Sequence, residues 1–166
     1  LREHAHDISR ELRDEIAALK LSMAGLDASA HHKKPAQISG GMRKRAALAR
    51  SLAMNPDVIL YDEPTTGLDP IMSDAIADLI IETRAKVKTA EGKDVTSLVV
   101  THDMHVAAKV ADRIVMLHGG RVVGEGSPEY FEALRRREEP AGLNESEAMI
   151  RQFVRGEAAG PIQAVR

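Results

Sequence analysis

The sequence predicts an α/β fold with a largely parallel sheet flanked by helices. Two short apolar runs, VILY at 58–61 and VTSLVV at 95–100, have the length and β-branched composition of strands. Their apolar residues do not alternate with polar ones, which predicts strands buried on both faces, as in a parallel sheet. A helical pattern over 71–90 lies between them, and a strand–helix–strand order is typical of a parallel crossover.

The other elements follow from periodicity and from helix-capping residues. Apolar residues recur at steps of three and four in the first predicted helix, and Gly25 is a natural stop for it. A Gly-Gly pair between two short apolar runs predicts a hairpin, and Ser-Pro predicts a helix start. The predicted ranges are 8–24 and 42–54 for helices, 101–112 for a loop entering a helix, 113–126 for the hairpin, and 127–137 and 145–155 for the last helices.

Composition limits the classes of function. The chain has 166 residues, of which 43% are hydrophobic and 29% charged, as expected for a globular domain with a core. The net charge of −2 and the aromatic content of 2% argue against a nucleic-acid partner. No apolar run reaches the roughly 18 residues of a membrane span. The first residue is leucine, and we expect this chain to be a piece of a longer protein.

Two carboxylates stand directly after the first predicted strand. Asp62 and Glu63 follow VILY, and parallel sheets bind their ligands beyond the carboxyl ends of the strands. An aspartate at that point can hold Mg²⁺, and the adjacent glutamate can polarise a water for attack on phosphorus. The alternative is a solvated acidic turn.

A histidine follows the second predicted strand in the same way. His102 lies in VVTHD, so we expect it to emerge at the same sheet edge as Glu63. There it can contact a terminal phosphate and orient the attacking water. The alternative is a surface histidine or one that is satisfied within the core.

A serine and two glycines lead into the basic helix. Ser39, Gly40 and Gly41 precede or begin the 42–54 stretch, and the unpaired N–H groups of a helix start favour an anion. The cations at 43–45 are unfavourable partners for the positive end of a helix, so we expect an anion to approach them. The alternative is a capped helix with a solvated basic face.

These motifs, in this order, resemble those of ATP-binding-cassette (ABC) ATPases, which have a P-loop NTPase fold. ISGGM at 38–42 is similar to the LSGGQ signature, and VILYDEP at 58–64 resembles the Walker B strand. TTGLDP at 65–70 resembles the D-loop, and VVTHDM at 99–104 the switch-histidine segment. The resemblance covers essentially the whole chain.

The resemblance implies a role for each candidate residue. Asp62 would be the Mg²⁺-associated acid, Glu63 the general base and His102 the γ-phosphate switch. Asp69 would belong to the loop that links two sites across a head-to-tail dimer. The signature residues would contact the γ-phosphate of ATP held by the opposite subunit; they are Ser39, Gly40 and Gly41. The implied cofactors are ATP and Mg²⁺.

The Walker A lysine and the Q-loop glutamine of the family have no counterpart in this sequence. We therefore expect the C-terminal portion of a cassette, inactive as an ATPase by itself. Its expected segments are part of the helical subdomain with the signature at 1–54, a catalytic core with Walker B, D-loop and H-loop at 55–126, and C-terminal helices at 127–166.

The SGGM signature, with Met42 in place of the usual glutamine, and the Arg/Ala-rich helix look like the Mla/Mce-type lipid transport ATPases. This resemblance implies an ATPase subunit that works with integral membrane permease subunits. Its implied location is the cytoplasmic face of the bacterial inner membrane. There it would drive transport of phospholipids or other hydrophobic compounds across the envelope. Two alternatives stay open: a non-transport ABC ATPase, and an inactive half-domain that only binds a partner.

Overall fold

The computed structural model describes residues 8–87, 92 and 94–162. The chain divides into two compact units, one extending to Thr101 and the other beginning at His102. This boundary falls inside the segment 55–126 that the sequence predicts as the catalytic core, and the three predicted segments stay a prediction. No helix among the described residues combines the length and apolarity needed to cross a bilayer.

The described part of the first unit contains three helices and two strands, and side-chain caps define its helix starts. Ser9, Ser39 and Asp69 each accept a backbone N–H from the first turn of the helix that follows. Two short 3₁₀ turns, Ala28–Ala30 and Pro35–Gln37, connect the first two helices. The elements are α1 (Arg10–Met23), α2 (Gly40–Leu52), β1 (Val58–Asp62), α3 (Pro70–Lys86) and β2 (Thr96–Val100).

The parallel pairing predicted from the sequence is present. β1 and β2 run parallel, with Val58 opposite Thr96 and Asp62 opposite Val100. The two strands therefore end at the same sheet edge, which is where Asp62 lies. The helix predicted over 71–90 is α3, which ends at Lys86; residues 88–90 lie outside the described part of the chain.

The prediction that both strands are buried on both faces is wrong. One face of β1 carries the buried Ile59, whereas Val58 and Leu60 are 52% and 71% exposed. On β2, Leu98 and Val100 are 58% and 55% exposed. Only one face of this sheet is covered by the described residues of the unit, and a continuous apolar run does not tell which faces are covered. The buried face contributes to a core that includes Leu48, Leu52, Ile59, Ile76, Ile80 and Val95.

Over residues 102–162, the second unit combines a hairpin with three helices. The predicted hairpin is confirmed: its two antiparallel strands are joined by Gly119 and Gly120, both at positive φ, as a tight primed turn requires. Its core packs Met116 of the hairpin against Phe131, Leu134 and Ile150 of the last two helices. The elements are α4 (Met104–Val110), β3 (Ile114–His118), β4 (Arg121–Gly126), α5 (Pro128–Arg136) and α6 (Glu145–Arg155).

Candidate functional site

The start of α2 has the chemistry of an anion site. Ser39 Oγ accepts the N–H of Met42 at 3.2 Å, so the hydroxyl proton of Ser39 can still be donated to another acceptor. The backbone N–H groups of the first helical turn have no intrahelical acceptor, and those of Gly40 and Gly41 precede the one that Ser39 caps. Ser39 is exposed and Gly40 is half-buried, so a ligand can reach them from solvent, whereas Gly41 is buried.

The three cations that follow each donate to backbone carbonyls. Arg43 donates to the carbonyl of Ile38 at 2.9 Å, and Arg45 donates to the carbonyl of Gly25 at 2.8 Å. Lys44 Nζ donates to two carbonyls of the loop after β1. Each of these cations therefore binds backbone oxygen atoms of a neighbouring segment, and the expectation that an anion approaches them stays a prediction.

The two predicted catalytic carboxylates lie at the end of β1. Asp62 is the last residue of the strand and is exposed, and Glu63 follows it with φ of 45°. A non-glycine residue in this left-handed region is strained, at a cost of about 1–2 kcal/mol. The backbone amide of Glu63 donates to Val100 O at 2.9 Å, which fixes Glu63 to the end of β2.

The loop after β1 folds back on the Glu63 side chain. Thr66 Oγ1 donates to Glu63 Oε2 at 3.0 Å, and the Thr66 amide donates to Glu63 O at 3.3 Å. The Leu68 amide donates to Thr65 O at 3.1 Å, which gives the loop a second turn. Glu63 is therefore presented from a hydrogen-bonded turn, even though it lies outside the strand.

The signature helix also approaches the start of α3. A Cβ placed on Gly41 would lie 2.3 Å from Met72 Cε, so only glycine fits without movement of Met72. Met72 belongs to the first turn of α3, and its amide donates to Asp69 Oδ1 at 2.9 Å. Asp69 is thus the N-cap of α3, and the first turn of α3 contacts Gly41.

A cleft of about 250 Å³ is lined by residues of α2, β1 and α3, and the two carboxylates belong to its lining. Burial raises the pKa of the Tyr61 phenol to about 12, and the nearby Ser97 hydroxyl only partly offsets this shift. The Tyr61 hydroxyl makes no hydrogen bond of normal geometry with the described residues. The cleft lining includes Lys44, Leu48, Tyr61, Asp62, Glu63 and Ile76.

His102 is the first residue of the second unit and is exposed. It follows the last residue of β2 by two positions, and Asp103 after it caps α4 by accepting the amides of His105 and Val106. Its expected proximity to Glu63 stays a prediction.

Asp62 fits Mg²⁺ as one oxygen ligand among several. The described residues contain no cluster of three or more histidine, aspartate or glutamate side chains that could enclose a metal. Mg²⁺ prefers hard oxygen ligands, and in phosphate-transfer sites one or two carboxylates hold it together with water and substrate phosphates. An exposed aspartate at a strand end supplies such a ligand, so Asp62 suits an ion that arrives with a nucleotide.

Sequence reasoning missed three features of this site. They are the double contact of Lys44, the hydrogen bond from Thr66 and the left-handed backbone of Glu63. A threonine three residues after an acid in a turn is a weak signal that could have suggested the second feature. Nothing local indicates the double contact of Lys44, because Lys44 lies 20 and 22 residues from its acceptors. Nothing local indicates the left-handed backbone of Glu63 either.

Comparison with known proteins gives a consistent assignment. The family model described as "ABC transporter" matches residues 2–66. The probable ribonucleotide transport ATP-binding protein mkl of Mycobacterium tuberculosis is 39% identical over 162 residues, which cover 98% of this chain and 40% of that protein. The intermembrane phospholipid transport system ATP-binding protein MlaF of Haemophilus influenzae is 35% identical over 163 residues.

The chain thus spans about half or less of the length of these relatives, since it covers 54% of MlaF and 40% of mkl. Among solved structures, the ATP-binding cassette MJ0796, a dimer in a post-hydrolysis state with ADP and phosphate bound, aligns with a TM-score of 0.59 and 38% identity. That alignment covers 73% of this chain and 49% of the cassette. The fold, the motif order and these similarities agree, and the chain belongs to the ABC transporter ATP-binding family.

Proposed function

We propose that the protein is the ATP-binding and ATP-hydrolysing subunit of an ABC transporter. The observation that carries this proposal is the pair Asp62 and Glu63 at the end of a parallel strand, with Glu63 held by Thr66 and by the end of β2. Family membership makes ATP the expected nucleotide. Neither a solvated acidic turn nor a simple capped helix requires a strained glutamate at this point.

The proposed chemistry is transfer of the γ-phosphoryl group of ATP to water. Glu63 accepts a proton from a water whose oxygen forms a bond to the γ-phosphorus, while the bond to the bridging oxygen breaks and ADP leaves. Asp62 would hold Mg²⁺, which neutralises charge on the phosphates. His102 would contact the γ-phosphate and orient the water.

The signature residues are proposed to act on a second subunit. The exposed hydroxyl of Ser39 and the N–H groups of Gly40 and Gly41 would bind the γ-phosphate of ATP held by an opposing copy in a head-to-tail dimer. Asp69, at the start of α3, would lie in the loop that links the two sites. In this arrangement each ATP is held between two subunits.

The proposed setting is the cytoplasmic face of the bacterial inner membrane, beneath integral membrane permease subunits. The proposed cargo is a phospholipid or another hydrophobic compound. The SGGM signature and the similarity to MlaF support this cargo. The similarity to mkl favours a second candidate, because that relative is named for ribonucleotide transport.

ATP hydrolysis by the full-length protein tests the activity. We expect phosphate release that requires Mg²⁺ and is abolished by a chelator. Because two subunits would share each ATP, the rate per subunit should also rise with protein concentration. The opposite result is a full-length protein that releases no phosphate at any concentration while still binding a partner protein. That result would favour the alternative of an inactive domain that only binds a partner.

A reconstitution experiment separates the cargoes. The full-length protein would be purified with its membrane partner and placed in vesicles that carry a fluorescent phospholipid or a labelled ribonucleotide. We expect ATP-dependent movement of the phospholipid alone. Movement of the ribonucleotide alone would favour the second candidate, and hydrolysis without any membrane partner or cargo movement would favour a non-transport ATPase.

A further inference from the structure

We propose that Lys44 is a positioning residue for Glu63. Its ammonium donates to Pro64 O at 2.6 Å and to Thr66 O at 2.9 Å, so one cation binds both ends of the turn that follows Glu63. The contact crosses from the signature helix to the loop after β1. This inference rests on the proposed function of Glu63 and adds a residue that the proposed mechanism does not use.

The geometry gives Lys44 more influence than an ordinary surface lysine has. Hydrogen bonds from an ionised donor are stronger than neutral ones, and this ammonium makes two of them. The bond to Pro64 O is partly buried, so water competes less for it. Lys44 also lines the same cleft as Asp62 and Glu63.

The turn that Lys44 binds is the one that holds the Glu63 carboxylate. Thr66 accepts from Lys44 through its carbonyl and donates to Glu63 Oε2 through its hydroxyl. Glu63 itself has a strained backbone at φ 45°, which persists only when its surroundings enforce it. Loss of the two Lys44 contacts should therefore let the turn relax and move the carboxylate away from the attacking water.

Three variants of the full-length protein test this role. Lys44→Met keeps the length of the side chain and removes the donor, and Lys44→Arg keeps a cationic donor. The matched control is Lys86→Met, the same substitution at an exposed lysine of α3 whose ammonium lies 2.7 Å from the Glu82 carboxylate on the same helix. Thermal unfolding reports whether each variant is folded.

The first readout is steady-state ATP hydrolysis. A misplaced base lowers the chemical step more than it lowers binding, and a misplacement of about 1 Å can cost up to about 100-fold. We expect Lys44→Met to lower kcat by about 10-fold or more with little change in KM for ATP, and Lys44→Arg to restore most of the loss. Lys86→Met should keep the kcat of the unaltered protein.

The second readout does not depend on catalysis. Hydrogen exchange at the amides of Thr66 and Leu68 reports the turn directly, because both donate to carbonyls within it. We expect faster exchange at these amides in Lys44→Met than in Lys86→Met.

An unchanged kcat in Lys44→Met would overturn the proposal, as would equal losses in Lys44→Met and Lys86→Met or a Lys44→Arg variant no better than Lys44→Met. If the unaltered protein does not hydrolyse ATP, the proposed function fails, whereas the exchange comparison still decides whether Lys44 holds the turn.

Discussion

The backbone amide of Glu63 donates a hydrogen bond to the carbonyl of Val100 at 2.9 Å. This bond extends the pairing of β1 and β2 by one residue beyond the last strand position, Asp62. It ties the candidate base to the strand that leads towards His102. The position of Glu63 is therefore set by the sheet on one side and by the turn containing Thr66 on the other.

The close approach of α2 and α3 predicts unequal effects of alanine at two adjacent glycines. A Cβ on Gly41 would meet Met72 Cε at 2.3 Å, whereas a Cβ on Gly40 has no neighbour closer than 3.8 Å. We expect Gly41→Ala to lower the free energy of unfolding by about 1 kcal/mol, at the low end of overpacking costs because the Met72 side chain can shift. Denaturant unfolding measures the difference.

Gly40→Ala is the control and should unfold at the same denaturant concentration as the unaltered protein. Adding Met72→Ala to Gly41→Ala removes the clash, so the double variant should lose less than the sum of the two single changes. Equal stability of Gly40→Ala and Gly41→Ala would show that the two helices are not in close contact.

The Tyr61 phenol predicts a loss of stability at high pH. Its pKa is raised to about 12 in the folded protein, from about 10 in an unfolded chain. Folding therefore favours the neutral phenol. Its contribution to the free energy of unfolding is complete below a pH of about 10 and is lost as the pH rises to about 12. We expect Tyr61→Phe to remove this part of the pH dependence when unfolding is followed at pH 8 and at pH 11.

The second tyrosine provides the control. The chain has two tyrosines, so in Tyr130→Phe the remaining phenol is Tyr61, and its ultraviolet absorbance should titrate near pH 12. Below pH 10, Tyr61→Phe should also raise the free energy of unfolding by about 1 kcal/mol, because it removes a buried hydroxyl that makes no hydrogen bond of normal geometry with the described residues. A Tyr61 phenol that titrates near pH 10 would contradict its burial.

Asp69 is the N-cap of α3, and it also has a proposed role at a dimer interface. Asp69→Ala removes the acceptor for the Met72 amide and should lower the free energy of unfolding by about 1 kcal/mol. Asp69→Asn keeps an oxygen acceptor, so its stability should match that of the unaltered protein. Thermal unfolding and ATP turnover, measured on both variants, separate the two roles.

If Asp69 also acts across a dimer, Asp69→Asn should lower ATP turnover at unchanged stability. Full turnover by Asp69→Asn would restrict the residue to its capping role. Ser39 also combines a capping role with a proposed binding role, because its oxygen caps α2 and its hydroxyl proton is proposed to bind phosphate.

The elements that sequence reasoning located correctly are those that local rules determine. The cap residues Ser39 and Ser127, and the Gly119-Gly120 turn, act within a few residues of themselves, so their spacing in the sequence is enough. The parallel pairing of β1 and β2 followed from the helix between them. The end of β1 then indicated Asp62 and Glu63 as the candidate site.

The features that sequence reasoning did not locate depend on distant partners. Exposure of Leu60 and Leu98 reflects which sheet face is covered, and an apolar run contains no information on that. The acceptors of Lys44 come from a loop that only the folded chain brings to α2. Glu63 adopts a backbone conformation that favours glycine or asparagine, so its residue type argues against the observed geometry.

The most direct test of the account is ATP binding and hydrolysis by Glu63→Gln in the full-length protein. Glutamine keeps the size of the side chain and can accept from Thr66 Oγ1, and it loses the ability to take a proton from water. We expect unchanged ATP affinity and a turnover lower by about 10²- to 10⁴-fold, the range for loss of a general base. Glu82→Gln, at a surface ion pair with Lys86 on α3, is the matched control and should keep full turnover. Near-normal turnover by Glu63→Gln would contradict the account, because hydrolysis would then not depend on the carboxylate at the end of β1.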